Sequence, residues 1–154
     1  MTDSAQLRAR LLAVAVLDID HFKRVNDTYG HAAGDAALRT LSQTVRQLIS
    51  TLQLDGVTFA RVGGEEFLLL LPGLEMDAVI SACENARCAV EQQSIVTEAG
   101  VFHATVLIGI ALQQIDDSFD TMFSNAYRAL YCAKESGRNR LCIYDKAIAQ
   151  SARA

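Results

Sequence analysis

Residues 61–67 read Arg61-Val62-Gly63-Gly64-Glu65-Glu66-Phe67. The two glycines separate two apolar runs of strand length, Val57–Val62 and Phe67–Leu71. Gly-Gly in that setting signals a tight hairpin, because glycine accepts positive φ freely. Glu65 and Glu66 then stand at the mouth of the turn. Like charges this close are unfavourable unless a cation compensates them. A hard divalent ion carrying a phosphate ligand would do so; a solvated acidic turn is the alternative. A second acidic stretch runs from Asp18 to Asp35 and follows the apolar run Leu11–Leu17, which reads as a buried strand. The end of such a strand is a common place for a metal-binding carboxylate. Near the other end of the chain, Lys134 and Arg138 are four residues apart on a helix end. Arginine offers phosphate oxygens a fork and lysine a point charge. A helical ion pair or a match to the helix dipole is the competing explanation.

These residues need a scaffold. The chain has 154 residues, 51% hydrophobic and 21% charged, which suits one ordered domain with a sizeable core. The net charge of −4 and the lack of a long basic run disfavour nucleic-acid and membrane-surface partners. No apolar stretch reaches the roughly 18 residues of a membrane span. Met1–Arg10 is polar and lacks the apolar centre of a signal peptide, so a cytoplasmic location is expected. Cys83, Cys88, Cys132 and Cys142 form no C-x-x-C pair and read as small buried hydrophobes.

Leu11–Leu17 is the first strand, and residues 19–29 read as a short irregular or helical link. Leu38, Leu41, Val45, Leu48 and Leu52 share a helical face, giving a helix over about 32–52. The hairpin occupies 57–71. Val79, Ala82, Cys83, Ala86 and Val90 mark a helix over about 76–92. Residues 95–112 read as a short strand and a long one turning near Gly100. Phe119, Met122, Phe123, Ala126, Leu130 and Ala133 mark the last helix, and Leu141–Tyr144 a final strand. Mixed hairpins and crossovers point to an α+β domain with an antiparallel or mixed sheet and helices packed on it. A polar segment 1–10, a domain 11–145 and a tail 146–154 are the expected divisions.

Three ordered stretches carry a resemblance: Asp18 to Asp35, Gly63 to Phe67, and Ala129-Leu130-Tyr131-Cys132-Ala133-Lys134-Glu135-Ser136-Gly137-Arg138-Asn139. Together they resemble the GGDEF family, the diguanylate cyclases, in its Gly-Gly-Glu-Glu-Phe variant, from about Leu11 to about Tyr144. The resemblance implies the polymerase-palm variant of the ferredoxin-like fold, in which Asp18 and Glu65 lie side by side. It also implies condensation of two GTP into cyclic di-GMP with release of pyrophosphate. A 3′-hydroxyl attacks an α-phosphate, and metal ions neutralise the phosphates and acidify the hydroxyl. By this resemblance Asp18, Glu65 and the backbone carbonyl of Ile19 hold magnesium, with manganese the alternative ion. Glu65 assists deprotonation, Glu66 is a supporting catalytic acid, and Asp20 is structural. Asn26 and Asp35 read guanine, whose N1–H and amino group are donors that adenine does not match. A helix cap for Asp35 and an Asx turn for Asn26 are the plainer readings. His31, Phe22 and Leu38 line the pocket, although Leu38 also fits the core face of its helix. Lys134 and Arg138 bind phosphate, and Arg61 supports the acidic cluster. GTP is the expected substrate, a homodimer the catalytic unit, and an upstream sensor or regulatory domain the expected neighbour.

The chain departs from the family at several points. Only 17 residues precede Asp18, and none match the family's usual Asp-x-Leu-Thr-Gly-Leu-x-Asn-Arg opening, so a shortened domain is expected. The product-inhibition motif Arg-x-x-Asp is replaced by Leu54 and Val57, so no inhibitory site is expected there. Leu107 stands where the family has serine, and Tyr127 where it has aspartate. The competing functions are a non-catalytic GTP-binding regulatory module and a palm-type cyclase acting on one nucleotide.

Overall fold

The structure, a computed structural model, describes residues 11–144. The 1–10 segment and the 146–154 tail expected from sequence lie outside the described residues. Strand β1 (Leu12–Ile19) leads into helices α1 (Phe22–Tyr29) and α2 (His31–Thr51). The hairpin β2 (Thr58–Gly63) and β3 (Glu66–Pro72) follows, then α3 (Met76–Gln92). Strands β4 (Ile95–Thr97), β5 (Gly100–Phe102) and β6 (Val106–Leu112) precede α4 (Phe119–Glu135) and β7 (Leu141–Ile143).

Five strands form one sheet in the order β2-β3-β1-β6-β7. β1 runs antiparallel to both β3 and β6, and only β6 and β7 are parallel. β1 is therefore central, and its continuous apolar run is what a strand covered on both faces requires. Its odd-numbered residues, Ala13, Ala15, Leu17 and Ile19, join the core beneath α1, α2 and α3. Val14 and Val16 join a second core beneath α4, with Leu68, Leu107, Met122 and Leu130. The sheet is thus sandwiched, and Asp18, next in the even series, faces α4.

The link after β1 takes the helical one of its two readings, as α1. One element differs from the expectation. Residues 95–102 are a separate two-stranded ribbon of β4 and β5, not part of the long strand. Tyr29 of α1 stacks on Phe102 of that ribbon, with ring centroids 4.7 Å apart, which gives the ribbon an anchor off the main sheet. The last helix starts on Ser118, whose hydroxyl accepts from the Thr121 amide at 3.1 Å, a regular N-cap.

Candidate active site

Strand register brings the acids together. Asp18 is the cross-strand partner of Glu66 on one side and of Leu107 on the other. The β2–β3 turn closes over Gly64 at φ +47°, a left-handed conformation that glycine adopts without strain. The exposed Arg61 side chain braces this turn by donating from Nε to the Gly64 carbonyl at 2.8 Å. Its hydrogen bond thus goes to a turn carbonyl and not to a carboxylate. The Ile19 amide donates to the Glu65 carbonyl at 3.4 Å, so the turn backbone is stitched to the end of β1.

Asp18 is only 4% exposed. Lys134 Nζ lies 3.3 Å from its Oδ2, while Oδ1 is buried with no hydrogen-bond partner. Burial drives the Asp18 pKa up to about 6, against the pull of Lys134 and with further upward pressure from Glu65 and Glu66. A carboxylate in this state is short of positive charge and of one donor. Among the described residues, no group of three or more His, Cys, Asp or Glu side chains is arranged to hold a metal. Two carboxylates with water and substrate phosphate are, however, the usual protein share of a magnesium site. The orphaned Asp18 oxygen beside Glu65 fits that donor set.

Asp20, two residues on, is fully engaged. Its Oδ1 accepts from Arg138 Nη1 at 2.9 Å. Its Oδ2 accepts from the Asn139 amide at 3.0 Å and the Thr105 hydroxyl at 3.1 Å. This is the structural role expected of it. Arg138 is not on the helix with Lys134: α4 ends at Glu135, and Arg138 and Asn139 adopt left-handed φ of 63° and 42°. The loop, not helical spacing, brings the guanidinium back towards β1. The Asn139 side chain takes a hydrogen bond from Arg87 Nη1 at 2.9 Å and donates to Glu91, tying the loop to α3. Sequence reasoning missed Thr105, Arg87 and Glu91; none carries a local signal of this role.

The residues expected to read the base lie where α1 packs on α2. A Cβ placed on Gly34 would come within 1.9 Å of Asn26 Oδ1 and 3.2 Å of Phe22 Cζ. Glycine is therefore what lets the Asn26 amide lie flat on α2. Asn26 Oδ1 is buried and has no hydrogen-bond partner, an acceptor facing no donor. Asp35 is exposed in the second turn of α2. Its helix-cap reading fails, because α2 begins at His31 after Gly30. His31 is exposed, Phe22 is half-buried, and Leu38 is a core residue at 7% exposure. Leu54 and Val57 are half-buried and packed on the main core.

Helix α4 closes the acidic row from above. Tyr127, whose effect the sequence left open, donates its hydroxyl to Glu66 Oε2 at 2.6 Å. Burial, then the bond to Glu66, pushes its pKa up to about 12. The helix sits unusually close to the sheet at Gly109, where a Cβ would meet the Ala126 carbonyl at 2.2 Å. Cys83 is fully buried and its thiol is pushed up to about 12 by burial, which makes it inert. The other three cysteines are half-buried rather than buried, and all are free.

Residues 2–140 match the family model described as "Diguanylate cyclase, GGDEF domain". The chain belongs to the GGDEF family. This GGDEF domain is 35% identical over 142 residues to diguanylate cyclase A of Treponema denticola, covering 92% of this chain and 37% of that protein. It superposes on the active GGEEF domain of a diguanylate cyclase from Vibrio cholerae with a TM-score of 0.80 at 30% identity, covering 92% of this chain and 87% of that one. The GGDEF domain of DgcB from Caulobacter crescentus, in complex with c-di-GMP, gives a TM-score of 0.81 at 31% identity, covering 87% and 78%. The chain spans little more than a third of the length of the first curated relatives it matches. Among the described residues, no helix is long and apolar enough to cross a membrane.

Proposed function

We propose that this domain is a magnesium-dependent diguanylate cyclase that joins two GTP into cyclic di-GMP and releases two pyrophosphates. The observation that carries this reading is the Asp18 carboxylate: buried, one oxygen orphaned, and grouped with Glu65 and Glu66. Asp18, Glu65 and the Ile19 carbonyl would hold magnesium, with manganese able to replace it. When bound, the ion supplies charge neutralisation at the phosphates and acidifies the attacking hydroxyl.

The chain's own residues do the rest. Lys134, now paired with Asp18, is the cation nearest the acids and would turn to the triphosphate as it enters. Arg138 is held by Asp20 with the rest of its fork available for phosphate oxygens. Asn26 Oδ1 and the Asp35 carboxylate offer acceptors to the N1–H and amino group of guanine. Adenine, lacking that donor pair, would leave the buried Asn26 Oδ1 unpaired, which is the stronger form of discrimination. Glu65 would take the 3′-hydroxyl proton. One domain supplies one GTP, so two domains facing each other complete the reaction. The domain works in the cytoplasm under an attached sensor or regulatory domain.

Incubation of the purified chain with GTP and magnesium, followed by product chromatography, tests this. Cyclic di-GMP and pyrophosphate are expected, with none formed in excess chelator. A cyclic mononucleotide would mean one-nucleotide ring closure. Tight GTP binding without turnover would mean a regulatory module.

A further inference from the structure

The acidic row has a second donor above it besides Lys134. Glu66 and Asp18 are cross-strand partners, so their side chains leave the same face of the sheet. That face is covered by α4. Lys134 meets Asp18 at 3.3 Å and Tyr127, two turns earlier on the same helix, meets Glu66 at 2.6 Å. Seven residues along an α-helix return to nearly the same side, so one helical stripe presents both donors. The Tyr127–Glu66 distance is that of a hydroxyl donating to an ionised carboxylate, the strong class of hydrogen bond.

The tyrosine itself is held. Its ring packs on Phe123 with centroids 5.2 Å apart, and Phe123 packs on Phe119 at 5.6 Å. Its neighbour Ala126 is buried against Gly109, where the sheet admits no side chain. These contacts hold the Tyr127 ring on the α4 side of the acids, where its hydroxyl meets Glu66.

We infer that Tyr127 is a positioning residue that holds Glu66 to the α4 side of the acidic row, beside Asp18, and so leaves Glu65 as the carboxylate that joins Asp18 at the reacting centre. Two adjacent glutamates would otherwise compete for one role. They leave the chain in different settings: Glu65 belongs to the turn, and Glu66 is the first residue of β3. The hydroxyl of Tyr127 keeps that difference in place by occupying one Glu66 oxygen. Its high pKa keeps it a donor across the physiological range. Tyr127 touches neither nucleotide nor reacting atom in this scheme; it acts through Glu66. The inference rests on the cyclase reading above.

The test is a double-mutant cycle on the intact chain with Tyr127→Phe and Glu66→Ala. Phenylalanine keeps the ring stacked on Phe123 and removes only the donor. For Tyr127→Phe we expect turnover to fall about tenfold, the scale of lost outer-shell support, with KM for GTP nearly unchanged. In the Glu66→Ala background the same change should have little further effect on turnover. Calorimetric binding of a non-hydrolysable GTP analogue, with and without magnesium, should match wild type for Tyr127→Phe, as should the melting temperature. A role in holding the fold alone would instead lower the melting temperature and affect affinity and turnover alike, in both backgrounds. Wild-type turnover by Tyr127→Phe, or an equal loss with and without Glu66, overturns the inference. Absence of product from the unmodified chain is a different result: it removes the cyclase reading and this inference with it.

Discussion

Asp18 and Asp20 stand two residues apart at the end of one strand and are 4% and 6% exposed. Their surroundings are opposite. Asp20 accepts from a guanidinium, a backbone amide and a hydroxyl. Asp18 has one lysine and an oxygen without a partner, and its pKa is raised first by burial and then by the two glutamates nearby. Buried polar groups are normally satisfied, and an orphan asks for an explanation. Asp20 is a fastening: it ties the loop after α4 to β1. Asp18 keeps an unpartnered oxygen at an energetic cost, which in the proposed function a bound cation would complete. Equal burial therefore does not mean equal purpose; the partner count separates the two.

The largest effect that would sharpen this contrast is on turnover. Glu65→Gln keeps the shape of the turn and removes one charge. Cyclic di-GMP formation should drop about 100-fold or more, as for loss of a charge-stabilising group. Near wild-type rates would remove Glu65 from the reacting centre.

Next comes the fastening. Asp20→Ala strands Arg138 and the Asn139 amide, and the unfolding free energy should fall by about 2–3 kcal/mol, discounted because Arg138 is partly solvated. Denaturant titration reads this directly, and an unchanged midpoint would deny Asp20 its structural role. Smaller again is the base preference. Asp35→Ala and Asn26→Ala should each lower discrimination of GTP against ATP by about 1–2 kcal/mol. Calorimetry showing unaltered affinities for both nucleotides would remove the base-reading assignment. The smallest effect concerns feedback. Leu54 and Val57 pack on the core and offer no charge, so cyclic di-GMP should inhibit only weakly and in competition with GTP. Strong non-competitive inhibition of the isolated chain would mean another surface binds the product.

Much of this was legible in the sequence, for identifiable reasons. The run Leu12–Ile19 is apolar throughout because both of its faces are covered, and the α2 and α3 faces repeat at helical spacing. The acids, Asn26 and Lys134 sit in ordered motifs. What escaped was through-space. Tyr127 and Glu66 are 61 residues apart, Thr105 and Asp20 are 85 apart, and no local pattern couples them. Arg138 looked like a helical neighbour of Lys134, yet its position comes from a left-handed loop that only the backbone reveals. β5 was merged with β6 because a three-residue strand leaves almost no periodicity to read. The helix start expected near residue 32 falls at His31, after Gly30, and this is what removes the cap alternative for Asp35.

The contrast between the two aspartates is tested most directly by the unfolding free energy of Asp18→Asn in metal-free buffer, followed against pH. Asp18 has its pKa raised from 3.8 to about 6 in the fold, so the native state binds a proton that the unfolded chain has released. Stability therefore falls as pH rises from about 4 to about 6, and the deficit persists above that. Replacing the carboxyl by an amide removes the deficit; Lys134, 36% exposed, is left to solvent at little cost. The account predicts that Asp18→Asn matches wild type near pH 4. At pH 7.5 it should be more stable by an amount on the order of 1–2 kcal/mol while forming no product. A variant destabilised at pH 7.5 would contradict the account and make Asp18 a second fastening like Asp20.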